Sequence, residues 1–215
     1  MLFRSVRLRD PGSGSKSVAV LPFMDQRNVS GVEVRHAGDS GSLYLGFIPL
    51  MPAGFVTKSA PENSDGFVSL GRYHFDVAND LADAAVLSLK ASNLFERVTL
   101  ANTLEQAEAD YIWRGRVNST YYSGAMLSYC VTYFASPVLW VVGAPSGVST
   151  NELLVDFELI ERSTGEVVWS GSYGGRDSVA HWLYAHIGQD VSLYPVLMKQ
   201  AMNSALFDLA RGRVL

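Results

Sequence analysis

The sequence predicts an α+β domain. It has a mixed four- or five-stranded sheet, two main helices packed on one face, and an apolar Pro-rich lobe. Three observations predict it. A continuously apolar, β-branched run at 17–23 is followed by helical periodicity over 75–95. Strict alternation of apolar and polar residues marks 110–121, 152–161 and 166–173 as strands. Two further stretches, 43–56 and 121–145, are apolar, broken by Pro and Gly, and fit neither period.

Composition sets the frame for these elements. Of 215 residues, 48% are hydrophobic and only 18% charged, which excludes a disordered chain. The net charge of −4 excludes the basic footprint of a nucleic-acid binder. The chain divides into a flexible leader at 1–16, with linker chemistry in PGSGS, and a single domain at 17–215. Insertions at 25–73 and 121–150 interrupt that domain.

In order, 17–23 is the first strand, closed by Pro22, which cannot donate to a ladder. The helix at 75–95 carries Leu81, Ala85 and Leu89 on one stripe. Asp76, Asp80 and Asp83 match its dipole, and Asn93 suits a left-handed terminus. This helix joins the first strand to a short one at 96–100, which implies parallel pairing. Thr103 and Gln106 resemble a capping box and predict a short helix over 103–109. The strand at 110–121 places Tyr111, Trp113, Gly115 and Val117 on one face. It places Ile112, Arg114, Arg116 and Asn118 on the other. Residues 152–161 and 166–173 form an antiparallel hairpin about Ser163, Thr164 and Gly165. Gly174 and Gly175 predict a turn into a short helix at 181–187, and Leu197, Ala201, Ala205 and Leu209 stripe a final helix over 193–210.

The segment 121–145 contains no charged residue, and neither half around Pro137 is long enough to cross a bilayer as a helix. With 43–56 it supplies the candidate partner or membrane surface: Tyr121, Tyr122, Tyr129, Tyr133, Phe134, Trp140, Phe47, Ile48, Leu50 and Met51. Chemical signatures are missing. There is no nucleophile elbow, no dinucleotide fingerprint, and His181 and His186 lack zincin spacing. Cys130, the one cysteine, lies in an apolar run that suits a small buried hydrophobe. The sequence therefore predicts no catalytic residue, no cofactor and no metal.

Four short runs occur in a telling order: VAVLPF at 18–23, ASNLFERV at 91–98, ADYIWRGR at 109–116 and TGEVVW at 164–169. They resemble a group of bacterial envelope lipoproteins. That group includes the curli secretion channel lipoprotein, the activator lipoproteins of penicillin-binding proteins and the amino-terminal domain of TolB. The segments 25–73 and 121–150 depart from it and look more like predicted lipoproteins of unknown function. The resemblance implies a non-enzymatic binding or assembly module of the cell envelope. It also implies a periplasmic location and a lipid anchor on a cysteine upstream of Met1. The implied partners are an envelope protein or a second copy, with a membrane surface possible and no nucleic acid. Two alternatives stay open. One is a peripheral membrane or pore-associated subunit using 43–56 and 121–145. The other is a small-molecule-binding protein or enzyme with a pocket between lobe and sheet.

Overall fold

The computed structural model describes residues 16–27, 33–36, 52–58, 76–127, 136–185 and 193–212. The strands are β1 Ser17–Val20, β2 Met24–Asp25, β3 Glu33–His36, β4 Pro52–Lys58, β5 Arg97–Leu100, β6 Tyr111–Ser119, β7 Tyr122–Leu127, β8 Gly147–Glu161 and β9 Val167–His181. The helices are α1 Val77–Ser92, α2 Ser136–Val141 and α3 Leu193–Arg211. Among the described residues, all nine strands belong to one mixed sheet, and two of the three helices are long. The fold is α+β, as the sequence predicts. The strand count is higher than four or five, because β2 lies at the start of 25–73, that insertion supplies β3 and β4, and 121–150 supplies β7 and the start of β8.

The spine of the sheet is β8. One edge pairs along its whole length with β9, from Gly147↔His181 to Ile160↔Val167. The other edge is shared. Its first half pairs with β7 and its second half with β6. Strands β6 and β7 follow one another in the same direction, so they act as one strand interrupted at Thr120 and Tyr121. The main-chain carbonyl of Tyr121 accepts from Glu152 N (2.8 Å) at this break. Beyond β6 lie β1 and β5, both parallel, and beyond β7 lie β4 and β3, both antiparallel.

Helix α1 forms where the periodicity places it. The Asp76 carboxylate accepts from Ala78 N (3.1 Å) and Asn79 N (3.2 Å), which satisfies two otherwise unpaired amide groups. The helix stops at Asn93, whose φ of 56° is the left-handed conformation that Asn tolerates. Asp80 accepts from Asp76 N (2.9 Å), so these two acids serve the helix start.

Helices α1 and α3 cover one sheet face. The odd-numbered residues of β8 (Leu153, Val155, Phe157, Leu159) are fully buried beneath them, with Val18, Val20, Leu89, Trp113, Leu197, Met202 and Leu209. Each such side chain contributes about 1.5–3 kcal/mol on leaving water. Aromatic rings tile the centre. Trp113 lies 5.4 Å from Phe157 and 5.5 Å from Trp169, while Tyr173 lies 6.0 Å from both Phe157 and Trp169. Two glycines make room for the rings. A Cβ at Gly115 would sit 2.5 Å from the Phe23 ring, and one at Gly171 would sit 2.5 Å from Tyr173. The Tyr173 hydroxyl donates to Asp208 (2.8 Å); burial first, and this carboxylate second, push its pKa up to about 12.

The opposite face is mixed. Ala101 and Ala107 pack on Ala19 and Ile112, forming a small second core. Next to it, Glu158 is held by Arg114 and Arg116, and Asn118 donates to Asp156 (2.7 Å).

Two local expectations are corrected. Residues 103–109 turn without forming a helix, although Gln106 N does donate to the Thr103 hydroxyl (3.4 Å). Ala107 N donates to Leu104 O (3.3 Å) and Ala109 N to Ala107 O (3.1 Å), tight turns that seat Ala107 in the second core. Residues 174–181 continue β9 instead of turning into a helix. A Cβ at Gly174 would sit 2.2 Å from the Leu153 carbonyl oxygen, so this glycine serves close strand approach.

Two outcomes follow. Gly115→Ala forces the Phe23 ring to move and should cost about 1–3 kcal/mol in urea unfolding, with the sheet signature in circular dichroism retained. The second concerns acid. The Asp110 carboxylate accepts from Ser17 N (2.7 Å) and Ser17 Oγ (2.8 Å), and these bonds hold its pKa below the ordinary 3.8. A lowered folded pKa gives stability that is present above 3.8 and is lost as pH falls through the folded value. Asp110→Asn should therefore flatten the acid limb of a stability-versus-pH curve measured by thermal melts, and leave the neutral plateau shape unchanged.

Candidate partner surface

The sequence singles out an uncharged stretch, and the structure gives part of it a shape. Strand β7 enters the segment and β8 leaves it, and the two are hairpin neighbours through Met126↔Gly147. Between them stands α2. Pro137 lies in its first turn, where the missing N–H has no helical partner to lose. That is why a segment expected to avoid helix forms one. The helix ends in a double bond pattern: Ala144 N donates to Leu139 O (2.9 Å) and Gly143 N to Trp140 O (3.2 Å). Gly143 has φ 104°, which a side chain would resist.

The following residues are clasped to both neighbouring strands. Leu127 N donates to Ser146 O (3.1 Å), and Ser146 N donates to His181 O (2.7 Å). The Ser146 hydroxyl also donates to His181 O (3.2 Å). His181 is buried, with Nε2 2.6 Å from the Ser149 hydroxyl, itself fully buried. The imidazole thus fastens β9 to β8, in keeping with a packing role. After it, Trp182 and Ala185 exchange two backbone bonds (3.0 and 3.3 Å) and close a tight turn.

This clasp presents apolar side chains to solvent. On α2 and its end, Val138 is 63% exposed, Val141 55% and Val142 73%. They lie at the three- and four-residue spacing that shares one helix face. From the adjoining turn, Tyr184 is 72% exposed and Leu183 39%. No charged residue occurs in 121–145 or 182–185. Isolated exposed apolar residues are ordinary, but three valines on one face of an uncharged helix, with Leu183 and Tyr184 exposed on an uncharged turn, are of the kind that meets a partner.

The sequence-predicted residues divide. Tyr122 is only 4% exposed, so its side chain is packed by this chain and not offered to a partner. Tyr121 and Trp140 are half-buried. Tyr129, Tyr133, Phe134, Phe47, Ile48, Leu50 and Met51 lie outside the described residues, as do Cys130, His186 and the leader at 1–15. Sequence reasoning missed Val138, Val141, Val142, Leu183 and Tyr184. Their valine spacing was a usable signal once Pro137 is placed in a first turn.

Hollows also lie elsewhere among the described residues. One, of about 750 Å³, is open and polar, lined by Ser17, Glu96, Arg97, Glu108, Asp110 and Arg162. Another, about 340 Å³, runs between α1 and α3 past Leu87, Pro195, Lys199 and Leu206. Among the described residues no group of three His, Cys, Asp or Glu side chains could hold a metal ion, and no helix is long and apolar enough to cross a membrane.

No protein-family model matches the chain, and no curated protein matches it in sequence. It is similar to several solved structures. A PelC dodecamer from Paraburkholderia phytofirmans is 16% identical, covering 89% of this chain and 88% of its own, with a TM-score of 0.41. Protein XCC0632 from Xanthomonas campestris, of the family DUF330, is 13% identical over 96% of this chain and 89% of its own, with a TM-score of 0.41. A minor lipoprotein from Acinetobacter baumannii is 13% identical over 65% of this chain and 85% of its own, with a TM-score of 0.31.

Ser149→Ala leaves the buried imidazole without this hydroxyl and should cost about 1–3 kcal/mol in chemical denaturation. Hydrogen exchange should quicken at 144–149 and 179–182 first, because the clasp closes there.

Proposed function

We propose that this chain is a non-enzymatic binding and assembly module of the bacterial cell envelope, periplasmic and lipid-anchored, that meets its partner through the tip at Val138, Val141, Val142, Leu183 and Tyr184. The observation that carries the reading is the exposure of Val138, Val141 and Val142 on one face of an uncharged helix, with Leu183 and Tyr184 exposed on an uncharged turn. The resemblance to envelope lipoproteins supports the location. Its four runs fall on one contiguous frame: β1, the end of α1 with β5, the start of β6, and the β8–β9 turn. A second reading, a peripheral membrane role for the same tip, draws on the absence of charge and on Trp140 and Tyr184, residue types that favour wet apolar boundaries.

A photo-crosslinking residue placed at Val142 in the lipidated protein, expressed in a Gram-negative cell, should yield one adduct of defined mass with an envelope protein. The same residue at Leu87, also exposed but on α1, should not. The triple variant V138S/V141S/V142S should abolish partner capture while changing stability by no more than about 0.5 kcal/mol, as for other exposed sites. Co-sedimentation of the purified protein with phosphatidylethanolamine–phosphatidylglycerol vesicles, lost in the triple variant, would instead favour the membrane reading. Failure of both assays removes the tip as a contact surface.

A further inference from the structure

Strand β9 is fifteen residues long and lies at the edge of the sheet. Among the described residues, its only strand partner is β8. Among the described residues, no other backbone group bonds to it between 167 and 177, and Ser178 N is turned to the Asp177 carboxylate (2.8 Å). Long open edges are normally guarded by Lys, Pro or inward charge. Residues 167–175 (VVWSGSYGG) contain none of these.

The centre of this edge reads the same in both directions by residue class. Trp169, Ser170, Gly171, Ser172 and Tyr173 run aromatic, serine, glycine, serine, aromatic. An antiparallel strand pair about a twofold axis sets each residue opposite its mirror position. A strand of this pattern is therefore complementary to itself. Ser170 and Ser172 are exposed, and Trp169 and Tyr173, stacked 6.0 Å apart, are half-buried at the rim of the core.

We infer that β9 pairs antiparallel with β9 of a second copy of this chain, in a register centred on Gly171, and so joins two sheets into one. In that register Trp169 faces the partner's Tyr173, and Ser170 faces the partner's Ser172. Aromatic cross-strand pairs of this kind stabilise sheets. The ends also match. Glu166, one residue before the strand, comes beside the partner's Arg176, and both are exposed and have no ion-pair partner among the described residues. The contact is isologous, so it closes at two copies. It uses none of the tip residues and stands whether or not the tip binds an envelope protein.

The test uses charge at two exposed positions that leave the core untouched. Purified full chain is measured by light scattering after size exclusion and by sedimentation equilibrium. Wild type should have twice the chain mass. Ser170→Lys with Ser172→Lys sets like charges opposite each other across the pair, and association should weaken at least about tenfold. Ser170→Lys with Ser172→Glu sets opposite charges across the same pair, and the dimer should persist. Circular dichroism should be unchanged in both variants. A monomeric wild type overturns the inference. So does a double-lysine variant that stays dimeric, and so does loss of association in both variants alike, since only this register distinguishes them.

Discussion

The constraint on which the molecule turns is the double pairing of β8. Strand β8 is paired along both edges, with β9 on one and with β7 and then β6 on the other, so it cannot shift by one position without carrying Leu153, Val155, Phe157 and Leu159 out from under the helices. Everything else is arranged about that register. Strand β6 brings Trp113 to Phe157, β9 brings Trp169 and Tyr173, and the glycines at 115 and 171 admit the rings. The helices then close one face, with α3 resting on β8 and β9 and α1 on the parallel strands.

The two faces of β8 also divide labour. Beneath the helices the contacts are apolar and non-directional. On the other face, Arg114, Arg116 and Asn118 reach across to Glu158 and Asp156, so the antiparallel pair is read by charge. At Thr120 the two schemes meet. Its hydroxyl accepts from Arg27 (2.8 Å) and its carbonyl from the Tyr194 hydroxyl (2.6 Å), which fixes the break between β6 and β7 from both sides. A break at a buried backbone position needs such partners, because unpaired polar groups there are costly.

Much of this was legible in the sequence, and the failures have causes. The helix at 77–92, its Asp76 start and its Asn93 end follow from local chemistry alone. So does the β8–β9 hairpin, because alternation and the Ser163–Thr164–Gly165 turn are short-range signals. Strands β3, β4 and β7 were not legible. The pairing of β4 with β7 spans some seventy residues of chain, from Lys58↔Tyr122 to Pro52↔Leu127, and Pro52, Gly54 and Gly124 dilute any period. Gly174 and Gly175 signal a turn by composition, yet they serve strand contact with Leu153 and packing under Leu197. The candidate surface was half legible. Lack of charge located it, but only the structure separates Tyr122, turned inward, from Val142, turned outward.

The hairpin closure Met126↔Gly147 carries a wider consequence. The excursion between these two residues leaves and re-enters the sheet at adjacent points. The registers of β7 and β8 are thus set by pairs that lie outside the excursion. Lengthening such a loop is inexpensive, with each doubling adding only about 0.6 kcal/mol of closure entropy. A change of length there leaves every strand pair of the sheet in its register, so the segment is the place where this frame tolerates insertion best.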